Sequence, residues 1–110
     1  MHELSIAQGI IEVCEQHAKG RRVKSVSVQI GALSGVVPEA LEFCYEAVVN
    51  GTLLEGSRLE IERIAATAFC ECCGAVAGIE SFTDSCPCCG GFPLEIRSGE
   101  EMRVKELEVD

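Results

Sequence analysis

Two copies of one short pattern, CECCG at Cys70–Gly74 and CPCCG at Cys86–Gly90, begin sixteen residues apart. Each sets two cysteines three positions apart and closes on a glycine. Two residues between thiolates let one tight turn point both sulfurs inward, and the glycine accepts a backbone angle that other residues resist. Amides of that turn can face the sulfurs and offset the charge of four thiolates around one Zn²⁺. On this logic Cys70, Cys73, Cys86 and Cys89 are the ligands, whereas Cys72 and Cys88 fill spacer positions and should point away. Such a site has no open coordination position, so it is structural. The alternatives are ligation shifted to Cys72 or Cys88, iron in place of zinc, and a thiol redox switch at those two spare cysteines.

Metal binding also answers a size problem. A chain of 110 residues can build one apolar core but hardly two. The knuckle segment, with Phe69, Val76, Ile79, Phe82 and Phe92, is too small to fold on apolar burial alone, and zinc contributes about 10 kcal/mol or more in small zinc peptides. We therefore expect a zinc-binding domain over residues 67–94 inserted into an α/β domain formed by residues 1–66 plus 95–110. The remaining cysteines, Cys14 and Cys44, stand alone at helical apolar spacing and read as small core residues.

The rest of the chain has the pattern of helices and strands. Leu4, Ala7, Ile11, Cys14 and Ala18 form one stripe of a helix from Ser5 to Ala18, with Ser5 and Gln8 able to make a capping box and Gly20 a plausible stop. Val26, Val28 and Ile30 alternate with polar residues as a strand ending near Gly31. Pro38 suits the first position of a second helix, whose stripe is Leu41, Cys44, Tyr45 and Val48 and which Gly51 ends. Leu59 and Ile61 mark a second strand. In MRVKELEV, Met102 and Val104 lie on one parity and Leu107 and Val109 on the other, which a bulge near Lys105 and Glu106 would reconcile. The expected fold is α+β: a small mixed three-stranded sheet covered by two helices, with a zinc-ribbon-like insert. The first two strands could run parallel through a crossover, with the last strand antiparallel.

Composition narrows function. The net charge of −9, and the lack of any lysine or arginine between Arg63 and Arg97, disfavour nucleic-acid binding. No apolar run reaches a membrane span and no export signal opens the chain, so a cytoplasmic protein that does not engage membranes is expected. Clustered cysteines in that compartment favour metal over disulfides. Only His2 and His17 are histidines, and neither a phosphate-binding GxxxxGK[ST] loop nor a GxSxG nucleophile elbow occurs. No catalytic constellation emerges, so the chain reads as a non-enzyme.

The start, MHELS, has a chemistry of its own. The Met1 amine, the His2 amide and the His2 Nδ1 can close a five-membered and a six-membered chelate ring on one metal. These strong in-plane nitrogen donors suit square-planar Ni²⁺ or Cu²⁺ better than tetrahedral zinc. Glu3 could add a carboxylate, orient the imidazole or supply its own amide.

Taken together, the N-terminal MHE, the stretch IGALSGVVPEALEFCYEAV and the late pair of CxxC knuckles resemble the HypA/HybF family of hydrogenase nickel-incorporation proteins over essentially the whole chain. The resemblance implies a nickel metallochaperone for [NiFe] hydrogenase maturation that works, as monomer or homodimer, with a partner GTPase and the hydrogenase large-subunit precursor. It maps nickel onto His2, with Met1 and Glu3 beside it, and zinc onto Cys70, Cys73, Cys86 and Cys89. The extra cysteine in each knuckle departs from the family pattern. The competing reading is a zinc-ribbon interaction module, or a thiol redox switch, that transports no metal.

Overall fold

In the computed structural model, which describes residues 3–110, the order of elements is α1 (Glu3–Ala18), β1 (Val23–Gly31), α2 (Pro38–Val48), β2 (Arg58–Ile64), β3 (Thr67–Phe69), β4 (Val76–Gly78), β5 (Glu95–Ser98) and β6 (Met102–Val109). The larger sheet has the order β2-β1-β6, with β1 parallel to β2 and antiparallel to β6. The parallel pair requires a crossover, and α2 provides it. Register aligns Val26 with Leu59 and Leu107, and Val28 with Ile61 and Val104. These side chains meet Ala7, Ile10, Ile11 and Cys14 of α1 and Leu41 and Tyr45 of α2 in one core. Val26, Leu41, Cys14 and Ala7 are fully sequestered. At about 1.5–3 kcal/mol for each large apolar side chain removed from water, this cluster is the main source of stability.

The bulge expected in the last strand is present. Ser27 pairs with Glu106 and Val28 with Val104, so Lys105 is the extra residue on β6. It turns Val104 and Leu107 to the same face, where both pack on the core. The opposite face is polar: Gln29 donates to Glu62 at 3.1 Å and accepts from Arg103 at 2.7 Å.

Two sequence expectations need correction. Helix α1 includes Glu3 and Leu4 ahead of Ser5, so Ser5 lies within the helix rather than at its start. An acidic residue in the first turn is favoured by the helix dipole. Second, the knuckle segment has a sheet of its own, β4-β3-β5, and Glu95–Ser98 belongs to it through the pairs Phe69 with Glu95 and Ala68 with Ile96. The expected boundary after residue 94 therefore cuts this sheet, which ends at Ser98. Its core also differs from the expected set. Ala66, Ala68 and Ile79 are buried with Leu33, Leu94 and Ile96 against them, while Val76, Phe82 and Phe92 are exposed. Strands of three or four residues present only one or two inward side chains each, too few to cover a phenyl ring. Phe69 instead lies beneath the Arg97 guanidinium, 4.7 Å from its ring centre.

The two sheets join where backbones nearly touch. Gly31 donates to the Glu101 carbonyl at 2.7 Å and Leu33 to the Gly99 carbonyl at 2.6 Å. A Cβ on Gly31 would lie 2.1 Å from the Gly99 oxygen, so glycine is the residue that fits. Leu33, just past β1, reaches into the small core. No helix among the described residues is long and apolar enough to cross a membrane.

Candidate metal centre

The two knuckles have the same backbone. In the first, Gly74 donates to the Cys70 carbonyl at 2.8 Å and Cys70 to the Ala75 carbonyl at 2.9 Å; in the second, Gly90 donates to Cys86 and Cys86 to Gly91, both at 2.8 Å. Gly74 and Gly90 close the turns at φ of 75° and 77°, the left-handed region that the sequence pattern required of them. The result aims four sulfurs at one point. Sγ of Cys70 and Cys89 are 3.6 Å apart and those of Cys73 and Cys86 are 3.7 Å apart, and all four lie within 4.8 Å of one another. A tetrahedron with Zn–S bonds of about 2.3 Å has S···S edges of about 3.8 Å. The donor set and its spacing fit a zinc ion.

Cys72 and Cys88 lie outside this group and are exposed. Cys70 and Cys86 are buried, whereas Cys73 and Cys89 reach the surface. Backbone amides point at the first sulfur of each knuckle, and Cys88 N–H donates to Cys86 Sγ at 3.4 Å. The Cys89 and Cys88 amides hold the Cys86 thiol down at about 6, and the Cys73 amide lowers Cys70. For Cys89 the Gly91 amide acts in the same direction, but the Cys70 and Cys73 sulfurs outweigh it and push the thiol up to about 12. Two thiolates thus form readily while their neighbours resist ionising beside them. A divalent cation at the centre removes that conflict, because it favours the deprotonated form of all four.

At the other candidate site, Met1 and His2 lie outside the described residues. Glu3, the third member of the motif, has a partner that sequence reasoning missed. Val37 is the N-cap of α2, with extended φ and ψ of −91° and 112°, no side-chain cap and Pro38 following it. Its N–H donates to Glu3 Oε2 at 3.0 Å. In a capping box a glutamate three residues into the helix reaches back to the N-cap N–H. Here α1 supplies that carboxylate from outside α2. The Val37 N–H, together with the Glu3 backbone N–H, holds the Glu3 carboxyl below the usual carboxylate range. The one available signal was a valine at an N-cap, a residue with no acceptor to offer. His17, the second histidine, lies in the last turn of α1.

With this geometry in hand, comparison with known proteins is decisive. A family model described as hydrogenase/urease nickel incorporation, metallochaperone, hypA matches residues 1–109. The chain belongs to the HypA family. Among relatives, the hydrogenase maturation factors HypA of Geotalea uraniireducens (strain Rf4) and Geobacter metallireducens are 54% and 53% identical over 110 residues, covering all of both chains in each case. The solution structure of the Ni metallochaperone HypA from Helicobacter pylori superposes with a TM-score of 0.68 at 27% identity, covering 99% of this chain and 97% of that one. A second HypA solution structure gives 0.71 at the same identity. HypA membership accounts for the two-helix mixed sheet and for the four-thiol centre, and it places the chain among nickel-incorporation metallochaperones of hydrogenase maturation.

Proposed function

We propose that this protein carries Ni²⁺ at the start of its chain and delivers it to the large-subunit precursor of a [NiFe] hydrogenase, in concert with a partner GTPase. The observation that carries this reading is the division of donors. Among the described residues the four-thiol cluster is the one group of His, Cys, Asp or Glu side chains able to hold a metal. Four protein ligands leave no open position there, so a cargo ion must be held elsewhere. The Met1 amine, the His2 amide and the His2 imidazole offer nitrogen donors suited to nickel, and Glu3 belongs to the same site. Three nitrogens leave a coordination position for a ligand from the acceptor, so transfer can proceed by exchange. Zinc at Cys70, Cys73, Cys86 and Cys89 holds the small sheet together and takes no part in transfer as a donor. In this division the nickel domain comprises 1–66 with the last strand, and the zinc domain extends from 67 to 98.

The test is transfer itself. Nickel-loaded protein is mixed with the large-subunit precursor and the GTPase, the proteins are separated, and nickel in the precursor is measured. Wild type should load the precursor and His2→Ala should not. Equal loading by both would remove His2, and with it the chain-start site, from the delivery route.

A further inference from the structure

We infer that Glu3 serves the proposed nickel site as a positioning residue rather than as a metal ligand: its carboxylate clasps the N-cap of α2 and thereby fixes the residue to which His2 is bonded. This rests on the reading of the chain start as the nickel site. Three observations support it. Oε2 of Glu3 accepts the Val37 N–H at 3.0 Å across 34 residues of sequence. Val37 has no other cap from its own helix, so the carboxylate answers a need of α2 that nothing in α2 meets. Glu3 also lies in the first turn of α1, the part of a helix that frays unless it is anchored.

The consequence is mechanical. In the proposed site the amine, amide and imidazole come from residues 1 and 2, and the entropy lost in ordering them is smaller when residue 3 is already fixed. The bond from the Val37 N–H holds the carboxylate, through Oε2, against the start of α2.

The experiment compares nickel affinity and the ligand-field bands of bound Ni²⁺ in wild type, Glu3→Gln, Glu3→Ala, Val37→Pro, the Glu3→Ala/Val37→Pro double variant and His2→Ala, all loaded with zinc. Glutamine keeps an acceptor for the Val37 N–H but cannot act as a carboxylate ligand, and proline removes the donor without touching the chain start. We expect Glu3→Gln to bind within about threefold of wild type, and Glu3→Ala and Val37→Pro each to bind about tenfold more weakly, the worth of one ordinary hydrogen bond. The double variant should be no weaker than either single one, and the bands should keep their positions throughout. Exchange protection of the Leu41 N–H, which donates to the Val37 carbonyl at 3.0 Å, checks that proline leaves the first turn of α2 intact. Loss of affinity and shifted bands in Glu3→Gln, with Val37→Pro like wild type, would overturn the proposal and make the carboxylate a ligand. Wild-type affinity in His2→Ala would instead overturn the chain-start site on which it rests.

Discussion

Removing zinc should unfold the small sheet and leave the large one standing. The apolar cluster of the small sheet has three buried members, Ala66, Ala68 and Ile79. Burying Ile79 is worth about 2 kcal/mol and each alanine less than about 1 kcal/mol, so these three residues supply at most about 4 kcal/mol. Zinc bound by cysteines contributes about 10 kcal/mol or more in small peptides. Chelation therefore removes more than twice what apolar burial provides, and the sulfurs of Cys70, Cys73, Cys86 and Cys89 lose the cation that lets them sit together. The assay is amide hydrogen exchange under reducing conditions, before and after chelation. Protection of the Ile79 N–H, which donates to the Ala66 carbonyl at 3.1 Å, should fall by about a thousandfold or more, equivalent to about 4 kcal/mol. The central amides of β1 should stay protected, since Val26 and Val28 belong to the other core. Cys73→Ser should reproduce the loss and Cys72→Ser should not. An Ile79 amide that stays within tenfold of its protection in verified zinc-free protein would refute the reasoning, because the apolar cluster would then suffice.

The remaining predictions concern the larger domain. Gly31→Ala should cost at least about 3 kcal/mol in urea unfolding, because its Cβ would meet the Gly99 carbonyl at 2.1 Å, whereas Gly9→Ala in the interior of α1, with nothing within 4 Å, should stabilise by about 0.5–1 kcal/mol. Leu41→Ala, at a fully buried position between α2 and the sheet, should lose about 2–5 kcal/mol and lower Tm accordingly. On the polar face, the Gln29 amide and then Lys105 hold the Glu62 carboxyl below its usual range, as the Arg63 hydrogen bond does for Glu39. A lowered folded-state pKa means that these groups stabilise fully above the ordinary carboxylate range and that this contribution fades as pH falls through the lowered values. Glu62→Gln should therefore lower Tm slightly at neutral pH and converge with wild type once the pH falls below the lowered value, flattening the acid limb of the Tm-against-pH curve.

How far the sequence could be read depended on whether a feature repeats along the chain. The knuckles repeat a motif whose chemistry requires convergence, so the clustering of the four sulfurs, the exposure of Cys72 and Cys88 outside that cluster and the glycine turns were legible. The bulge at Lys105 was legible as well, because a parity break in an alternating strand has only a few geometric solutions. The start of α1 was misplaced by the Ser5 and Gln8 signal, and the Glu3–Val37 contact joins residues 34 apart in sequence, so local spacing carries no trace of it. The small core escaped for a related reason: it is filled by Leu33, from a loop far away in sequence, and by alanines, whereas the conspicuous phenylalanines remain outside. Long-range contacts between unpatterned residues carry no periodic trace.

The central claim is that nickel is held at the chain start by nitrogens of Met1 and His2, apart from the zinc centre. Calorimetric nickel titration of zinc-loaded protein with its native start, of His2→Ala, and of protein carrying one extra glycine before Met1 tests this most directly. Tight binding should be present in the first alone and lost or sharply weakened in the other two, because one variant removes the imidazole and the other displaces the amine from the chelate. Equal affinity in all three would contradict the account.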